Sequence, residues 1–425
     1  QEAYTSEVKQ SYANYNDVAV VVFSRSGGEG SDLPRASFAE TKGQTDASMA
    51  YPTREQIESG DWQPVGGAGR ETNPFEHYLE IDDNEKALLN ALEKDSRFKD
   101  VVVILNSSNS MECDFLDDVE SYSKIKAGIW AQSTGKSHVN ALGEILKGTI
   151  NPSGRTPDII EKDFTKDPTW QNYSNNLVGN EAGFDSGMGD QYTLDDSTLY
   201  KDYWDQGYYG IEYQEGIYNG YKYYETRGKT DGEKWYEDNV QYPFGYGLSY
   251  TTFTKEIVSS STFGDDVNVE VKVTNTGNKE GKEVVQLYYS APYTKGGIEK
   301  SSTVLGDFAK TKTLKSGESE TLKLTIRKEE MASYDYKKEK AYVLDKGEYV
   351  YQIKENSHEI SKDKSGKNLE FKSNEEKKVF KNGKSSDKTA VTNQFDDVSA
   401  IFKDTEQKGY ALNMSRSDFK TTFPT

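Results

Sequence analysis

The chain has 425 residues, more than the roughly 250 to 300 that one hydrophobic core supports, which predicts two or three domains. Its 71 acidic and 52 basic residues give a formal charge of -19, which repels phosphate backbones and anionic lipids and argues against nucleic acid as a partner. One cysteine and three scattered histidines exclude an internal disulfide and disfavour a structural zinc site. No apolar run reaches the roughly 20 residues of a membrane-spanning helix, so we expect no membrane insertion.

The first region is predicted to be an α/β sandwich, with a mostly parallel sheet and helices on both faces. Short apolar runs at residues 18–23, 100–105 and 125–131 are typical of buried parallel strands. Residues 1–16 favour a polar helix that leads into the first strand. The chain is therefore expected to begin inside a domain.

Two helices are predicted as crossovers of this sheet. Residues 84–94 place their leucines on one helical stripe, with Asp82 or Asp83 available as the N-cap. A second helix follows the third strand, and Gly148 can end it in a left-handed conformation.

From about residue 158 to 250 the periodicity fades and the composition shifts to Tyr, Asp and Gly. A structureless stretch of that length is unusual inside a compact protein, so an ordered, aromatic-rich connection is favoured. The tyrosine rings could stack on sugar rings, but packing between domains is the preferred interpretation for most of them.

From about residue 255 apolar and polar residues alternate, as in the valines at positions 267, 269, 271 and 273. Similar runs near 285–289, 322–326 and 349–353 predict an antiparallel β-sandwich. The last seventy residues are charged and rich in Ser and Lys, but they finish in two aromatic segments, 393–396 and 414–419. Such an ending is not typical of a disordered tail.

The segment most informative about chemistry is the glycine-rich loop around Glu29, which follows the first strand directly. Ligands of open α/β sheets bind beyond the carboxyl ends of the strands, so this loop emerges where a substrate would lie. Three surrounding glycines allow close approach of the backbone to a ligand and present the Glu29 carboxylate. The spacing fits neither a P-loop nor a dinucleotide fingerprint, so no cofactor is expected.

Several stretches resemble glycoside hydrolase family 3 enzymes of the β-glucosidase type. They are Gly28-Glu29-Gly30, LGEILKGTINPSGR at 142–155, YQEGIY at 213–218 with Gly220-Tyr221, PFGYGLSYTTF at 243–253, VKVTNTG at 271–277 and EVVQLY at 283–288. The stretches follow the order of that family. The last two are similar to its fibronectin type III-like domain.

The resemblance implies a division into four parts. Residues 1–160 form the α/β sandwich domain, and residues 161–254 form the tyrosine-rich connection that packs on it. Residues 255–356 form the fibronectin type III-like β-sandwich. Residues 357–425 form a C-terminal extension that leads toward a missing barrel.

The resemblance also implies a retaining, exo-acting hydrolase of terminal β-linked sugars, with Glu29 as the general acid/base. Asp32 could position Glu29 or bind a sugar hydroxyl, although capping of a turn is the preferred interpretation. The family's nucleophile is an Asp on a (β/α)8 barrel, which this chain lacks. The expected partners are a carbohydrate substrate and that barrel, and the isolated chain is expected to be inactive. No metal is expected.

The C-terminal residues 415–425 resemble the segment that precedes the barrel in members with reversed domain order, which suggests a barrel beyond Thr425. Few cysteines and high acidity are compatible with a secreted or cell-surface bacterial protein, and a cytoplasmic location stays open. A non-catalytic carbohydrate-binding or interaction module is the alternative function.

Four further residues are interpreted mainly as structural. Arg155 is expected in an interdomain ion pair, and Cys113 is expected to be an inert apolar residue. Trp130, at a strand end, could stack on sugar, but core packing is the preferred interpretation. Glu215 resembles an architectural position of the family and is the second candidate acid.

Overall fold

In a computed structural model, the chain folds as two compact units. The first comprises Gln1–Val139, Ile160–Tyr213 and Thr425, and the second comprises Asn140–Ile159 and Gln214–Pro424. The structure describes residues 6–25, 39–42, 54–64, 77, 79–132, 135–170, 192–194, 208–210, 214–381 and 413–424.

The first unit is built around a three-stranded parallel sheet. The helices and strands up to residue 213 are α1 (Ser6–Ser11), β1 (Val18–Ser24), β2 (Ala39–Thr41), α2 (Arg54–Ser59), β3 (Trp62–Pro64), α3 (Asp83–Lys94), β4 (Asp100–Asn106), β5 (Ile125–Trp130), α4 (Gly135–Leu146), β6 (Ile160–Glu161), β7 (Tyr192–Leu194) and β8 (Tyr208–Gly210). The sheet has the strand order β1-β4-β5, with Val18 opposite Asp100 and Val101 opposite Ile125. The three predicted strands and their parallel pairing are confirmed.

The helix α3 begins with a capping box, which selects Asp82 of the two predicted N-caps. The amide of Glu85 donates to Asp82 Oδ1 at 2.7 Å, and Glu85 Oε2 accepts from the amide of Asp82 at 2.9 Å. At the other end, Lys124 Nζ donates to the carbonyl of Leu92 at 3.0 Å. A cation there complements the negative end of the helix dipole. Gly148 has φ 71°, as predicted for the residue that ends α4.

The two faces of the parallel sheet differ in burial. On one face Phe23 is 2% exposed and its ring lies 6.1 Å from that of Phe115. On the other face Val18, Val20 and Val22 are 44%, 47% and 55% exposed. Alternate residues of a strand point to opposite faces, so this difference follows directly from the period of two.

The second unit contains the predicted antiparallel β-sandwich. Its helices and strands are α5 (Gly220–Asp231), α6 (Glu233–Asn239), β9 (Val240–Tyr242), β10 (Phe253–Ser261), β11 (Asp266–Asn275), β12 (Val284–Ser290), β13 (Val304–Lys310), β14 (Ser319–Arg327), β15 (Ser333–Asp335), β16 (Ala341–Leu344), β17 (Gly347–Lys354), β18 (Glu370–Glu375), β19 (Lys378–Phe380) and α7 (Phe419–Thr422). Sheets β10-β11-β14 and β13-β12-β17-β18 share one core, in which Val271, Leu287 and Tyr349 are fully buried. A small sheet, β15-β16-β19, completes the unit.

The aromatic rings of residues 214–250 form a second core in this unit. Tyr218, Tyr223, Tyr224 and Tyr236 are at most 4% exposed. These four tyrosines are ordered and packed, as predicted, but they lie in a core of the second unit, and the predicted packing between domains stays a prediction. The interpretation that such rings pack rather than stack on sugar is favoured accordingly.

Residues 413–424 dock on this aromatic core. Phe419 is 3% exposed, and its ring meets those of Tyr218 and Tyr223 edge-on at 5.0 and 5.6 Å. Glu299 accepts hydrogen bonds from Ser415 Oγ at 2.6 Å and from the amide of Arg416 at 3.0 Å. The expectation that the chain does not end in a disordered tail is confirmed for this segment, whereas residues 393–396 lie outside the described residues.

His358 joins the β-sandwich to α5 and α6. Its Nδ1 lies 3.1 Å from Glu225 Oε2, its Nε2 lies 2.7 Å from Glu233 Oε1, and its ring stacks on Tyr236 at 3.9 Å. Burial opposes the charged imidazolium, but the hydrogen bonds and negative charges of Glu225 and Glu233 outweigh it and raise the pKa of His358 to about 9. The ring therefore acts as a cationic bridge between two carboxylates.

We expect Phe419→Ala to lower the free energy of unfolding of the second unit by about 3 kcal/mol, because it removes a buried ring from a packed cluster. Urea denaturation followed by circular dichroism measures this loss. The matched control is Phe263→Ala, since Phe263 is 93% exposed and its loss should change stability by about 0.5 kcal/mol or less. Equal effects of the two substitutions would show that the docked segment does not stabilise the unit.

We expect His358→Gln to cost on the order of 2 kcal/mol of stability at pH 6 and almost nothing at pH 10. The folded pKa of about 9 exceeds the unfolded value of about 6.5, so the stabilisation is complete below pH 6.5 and is lost as the pH rises to about 9. Urea denaturation of wild type and variant across this range measures the difference. Burial lowers the pKa of nearby Lys354 to about 8, but this titration is common to both proteins. A pH-independent difference would contradict the cationic bridge.

Candidate functional site

The carboxyl edge of the parallel sheet is the candidate site. There, β1 ends at Ser24 and β4 at Asn106, and Asn106 Nδ2 donates to Ser24 Oγ at 3.4 Å. The indole of Trp130, at the end of β5, donates to the carbonyl of Ser107 at 2.8 Å. These polar groups meet because parallel strands all end at one edge, where open α/β sheets bind ligands.

The two predicted site residues, Glu29 and Asp32, lie outside the described residues. Their roles therefore stay predictions. What the structure describes is the start of their loop, since β1 ends at Ser24 and Arg25 is the last described residue before it.

Arg25 is firmly held at this point. Its side chain is 3% exposed, and Nη1 and Nη2 each donate to a carboxylate oxygen of Glu85 at 2.8 Å. The same guanidinium donates to the carbonyls of Ser24 at 3.0 Å and Glu80 at 2.5 Å. A planar guanidinium bound to both oxygens of one carboxylate is fixed in orientation as well as in position.

Sequence reasoning did not single out Arg25 or Glu85. One available signal was the Asp82-x-x-Glu85 spacing of a capping box at the start of α3. Another was a lone arginine directly before a glycine-rich loop. Neither signal shows that the two residues, 60 positions apart, meet.

A buried histidine and glutamate lie elsewhere in the first unit. His77 and Glu112 are 3% and 8% exposed, and His77 Nε2 lies 3.0 Å from Glu112 Oε1. The amide of Leu79 donates to His77 Nδ1 at 3.2 Å, which leaves the ring proton on Nε2, facing the carboxylate. Glu112 Oε1 also accepts from the amide of Phe164 at 2.8 Å.

These residues, together with Glu80, are close enough to suggest metal ligands, since their donor atoms lie within 4.8 Å of one another. Metal-binding histidines usually donate a proton from the nitrogen that does not face the metal. His77 instead accepts a backbone hydrogen bond there and keeps its proton toward Glu112. The arrangement fits a hydrogen-bonded structural pair and does not fit a metal site.

Arg155 forms an ion pair as predicted, but within the second unit and not between domains. Its Nη2 donates to both carboxylate oxygens of Glu283 at 2.9 and 2.8 Å, and Lys255 Nζ lies 3.0 Å from Glu283 Oε1. Glu283 is 3% exposed, so these two cations take the place of water around its carboxyl group. Arg155 is thus committed to structure and not to a ligand.

The structure also describes the other three residues that were interpreted as mainly structural, namely Cys113, Glu215 and Trp130. Cys113 is 1% exposed, and burial raises the pKa of its thiol to about 12, which suits the predicted inert residue. Glu215 is 4% exposed. Trp130 is half-buried and hydrogen-bonded at the candidate edge.

Within the described parts of the chain, no helix is both long enough and apolar enough to cross a membrane.

Two family profiles match the chain. The glycosyl hydrolase family 3 C-terminal domain matches residues 2–250, which is more than half of the chain. The fibronectin type III-like domain matches residues 283–357.

Curated relatives include Beta-glucosidase A of Butyrivibrio fibrisolvens, 29% identical over 83% of this chain and 37% of that protein. The Beta-glucosidase of Ruminococcus albus is 32% identical over 64% of this chain and 24% of that protein. Among solved structures, beta-glucosidase 3B from Thermotoga neapolitana in complex with glucose has a TM-score of 0.60 and 26% identity, covering 89% of this chain and 40% of that one. The chain thus spans about a quarter to two-fifths of these proteins, and by its profile match it belongs to glycosyl hydrolase family 3, whose C-terminal and fibronectin type III-like domains it contains.

Proposed function

We propose that the chain supplies the general acid/base, Glu29, of a retaining β-glucosidase, and that a (β/α)8 barrel supplies the nucleophile. The observation that carries this proposal is the exit of the Glu29 loop from the carboxyl edge of the parallel sheet, directly after the anchored Arg25. Relatives named as beta-glucosidases support the substrate class, terminal β-linked glucose or a related sugar.

The chemistry requires two carboxyl groups with different tasks. As a carboxylic acid, Glu29 protonates the leaving glycosidic oxygen while the nucleophile forms a glycosyl-enzyme bond. As a carboxylate, Glu29 then takes a proton from the water that breaks this bond. The two groups must lie about 5 to 5.5 Å apart in a retaining enzyme. In the proposed assembly, Asp32 orients Glu29 or binds a sugar hydroxyl, and the barrel carries the residues that select the sugar.

The need for a further domain is supported by two observations. The chain covers only 24% to 40% of the relatives and structures compared. In addition, parallel sheets are normally covered on both faces, yet Val18, Val20 and Val22 are about half exposed. Both observations favour a chain that works as part of a larger enzyme.

We expect Glu29→Gln to lower kcat/KM for phenyl β-glucoside, which reports the bond-breaking first step alone, by about 10²- to 10⁴-fold in the assembly of chain and barrel. The loss should be much smaller for 2,4-dinitrophenyl β-glucoside, whose leaving group needs little protonation. Rates of phenol release measure both effects. Glu120→Gln serves as control because Glu120 is an exposed glutamate of the same unit. Equal loss for both substrates would refute Glu29 as the acid.

The chain alone should release nitrophenol from p-nitrophenyl β-glucoside at the background rate, whereas addition of a separately produced barrel should restore turnover. The physical reason is that the nucleophile lies outside this chain. Robust turnover by the isolated chain would overturn this division of roles. Deletion of residues 27–30 distinguishes the alternative function, since a binding module keeps its affinity for polysaccharide while an enzyme part loses activity.

A further inference from the structure

We propose that the second unit carries a peptide-binding site, and that residues 413–424 occupy it as an intramolecular ligand. The ligand that fits this site is a short peptide with the anchors Met414, Arg416 and Phe419 at the spacing found here. The inference does not depend on the proposed function. The site, here called the aromatic docking surface, is formed by Tyr218, Tyr223, Trp235, Tyr293 and Glu299.

The docked segment has a local structure of its own. The amide of Asp418 donates to the carbonyl of Ser415 at 3.0 Å, and the amide of Ser415 donates to Thr422 Oγ1 at 2.9 Å. Asp418 also caps α7, because its Oδ1 accepts from the amide of Thr421 at 3.1 Å. Hydrogen bonds within a peptide reduce the entropy that is lost when it binds. The segment therefore carries part of its bound shape itself.

The segment is attached to the second unit without taking part in a sheet. None of the sheets formed by the described residues contains a residue of 413–424. The amide of Met414 donates to the carbonyl of Gln214 at 2.7 Å, and the further contacts given below each involve a side chain. Such a segment can leave its site without opening a sheet.

The deepest anchors of the segment are apolar. Met414 and Phe419 are both 3% exposed, and the ring of Phe419 contacts those of Tyr218 and Tyr223. The ring of Phe423 lies 6.1 Å from that of Tyr223. Buried aromatic anchors commonly supply most of the affinity of an interface. The segment is thus built as binding peptides are.

Polar contacts fix the direction of the segment. Glu299 accepts from Ser415 Oγ at 2.6 Å and from the amide of Arg416 at 3.0 Å. The guanidinium of Arg416 lies 4.6 Å from the centre of the Tyr293 ring and donates to the carbonyl of Lys300 at 3.3 Å. These contacts select a peptide with a cation two residues after its first apolar anchor.

The walls of the aromatic docking surface are held by contacts that do not involve the segment. The ring of Trp235 stacks on that of Tyr224 at 5.9 Å and meets that of Tyr223 at 6.0 Å. The hydroxyl of Tyr218 donates to Glu299 Oε2 at 2.5 Å. We therefore expect the surface to persist when the segment leaves. A pre-formed site binds its ligand at a lower cost in ordering.

The test uses the full chain and a fluorescent peptide of residues 413–424. In the wild-type chain the tethered segment competes at a high effective concentration, so little peptide should bind. Phe419→Ala in the chain should weaken its own docking by roughly 100-fold and leave the docking surface intact. We expect the peptide to bind F419A at least about 10-fold more tightly than wild type, as measured by fluorescence anisotropy.

Two controls show whether the peptide uses the proposed site. A peptide that carries the Phe419→Ala change should bind neither chain, because it lacks the main apolar anchor. Adding Glu299→Gln to the F419A chain should weaken binding of the unchanged peptide by about 10-fold, since charge-assisted hydrogen bonds are lost. The matched change is Glu256→Gln, at an exposed glutamate of the same unit, and it should leave the affinity unchanged.

Three results would overturn the proposal. One is the absence of saturable binding to an F419A chain that circular dichroism shows to be folded. Another is equal affinity for wild type and F419A, or for the two peptides, because binding would then occur elsewhere. If F419A does not fold, Arg416→Ala, at a half-buried anchor, takes its place. Failure of both variants to fold would show that the segment is an integral part of the fold and not a ligand.

Discussion

The bidentate hydrogen bond between Arg25 and Glu85 is the constraint on which the candidate site depends. It joins the end of β1, which leads into the Glu29 loop, to the capped start of α3. Parallel pairing of β1 with β4 brings the strand ends to one edge, and the ion pair ties Arg25, which directly follows β1 at that edge, to the start of α3.

The buried Glu225 and the half-buried Glu299 link distant segments of the second unit. Glu225 accepts from Tyr236 and Ser357 and bridges to His358, while Glu299 accepts from Ser415 and from the amide of Arg416. A carboxylate removed from water needs several donors, and these donors come from distant parts of the chain. Each carboxylate therefore joins segments that lie far apart in the sequence.

The proposed chemistry needs two carboxyl groups, and only one of them is assigned to this chain. In the proposed function the α/β unit supplies one carboxyl group, Glu29, but retaining hydrolysis needs a second carboxylate at a defined distance. The matched region makes up 37% and 24% of two of the beta-glucosidase relatives, which leaves room for that second half.

The sequence by itself determined the elements of this fold. Apolar runs predicted β1, β4 and β5, alternation predicted the sandwich strands, and Asp82 and Gly148 marked helix ends, because these signals are local. Motif order also indicated the family and the candidate Glu29, whose role and that of Asp32 stay predictions. Only the tertiary structure showed that Arg25 meets Glu85, that Phe419 docks on Tyr218, and that His358 bridges two glutamates. Such partners lie 60 to more than 100 residues apart, and no local pattern encodes which of many similar side chains the folded backbone will bring together.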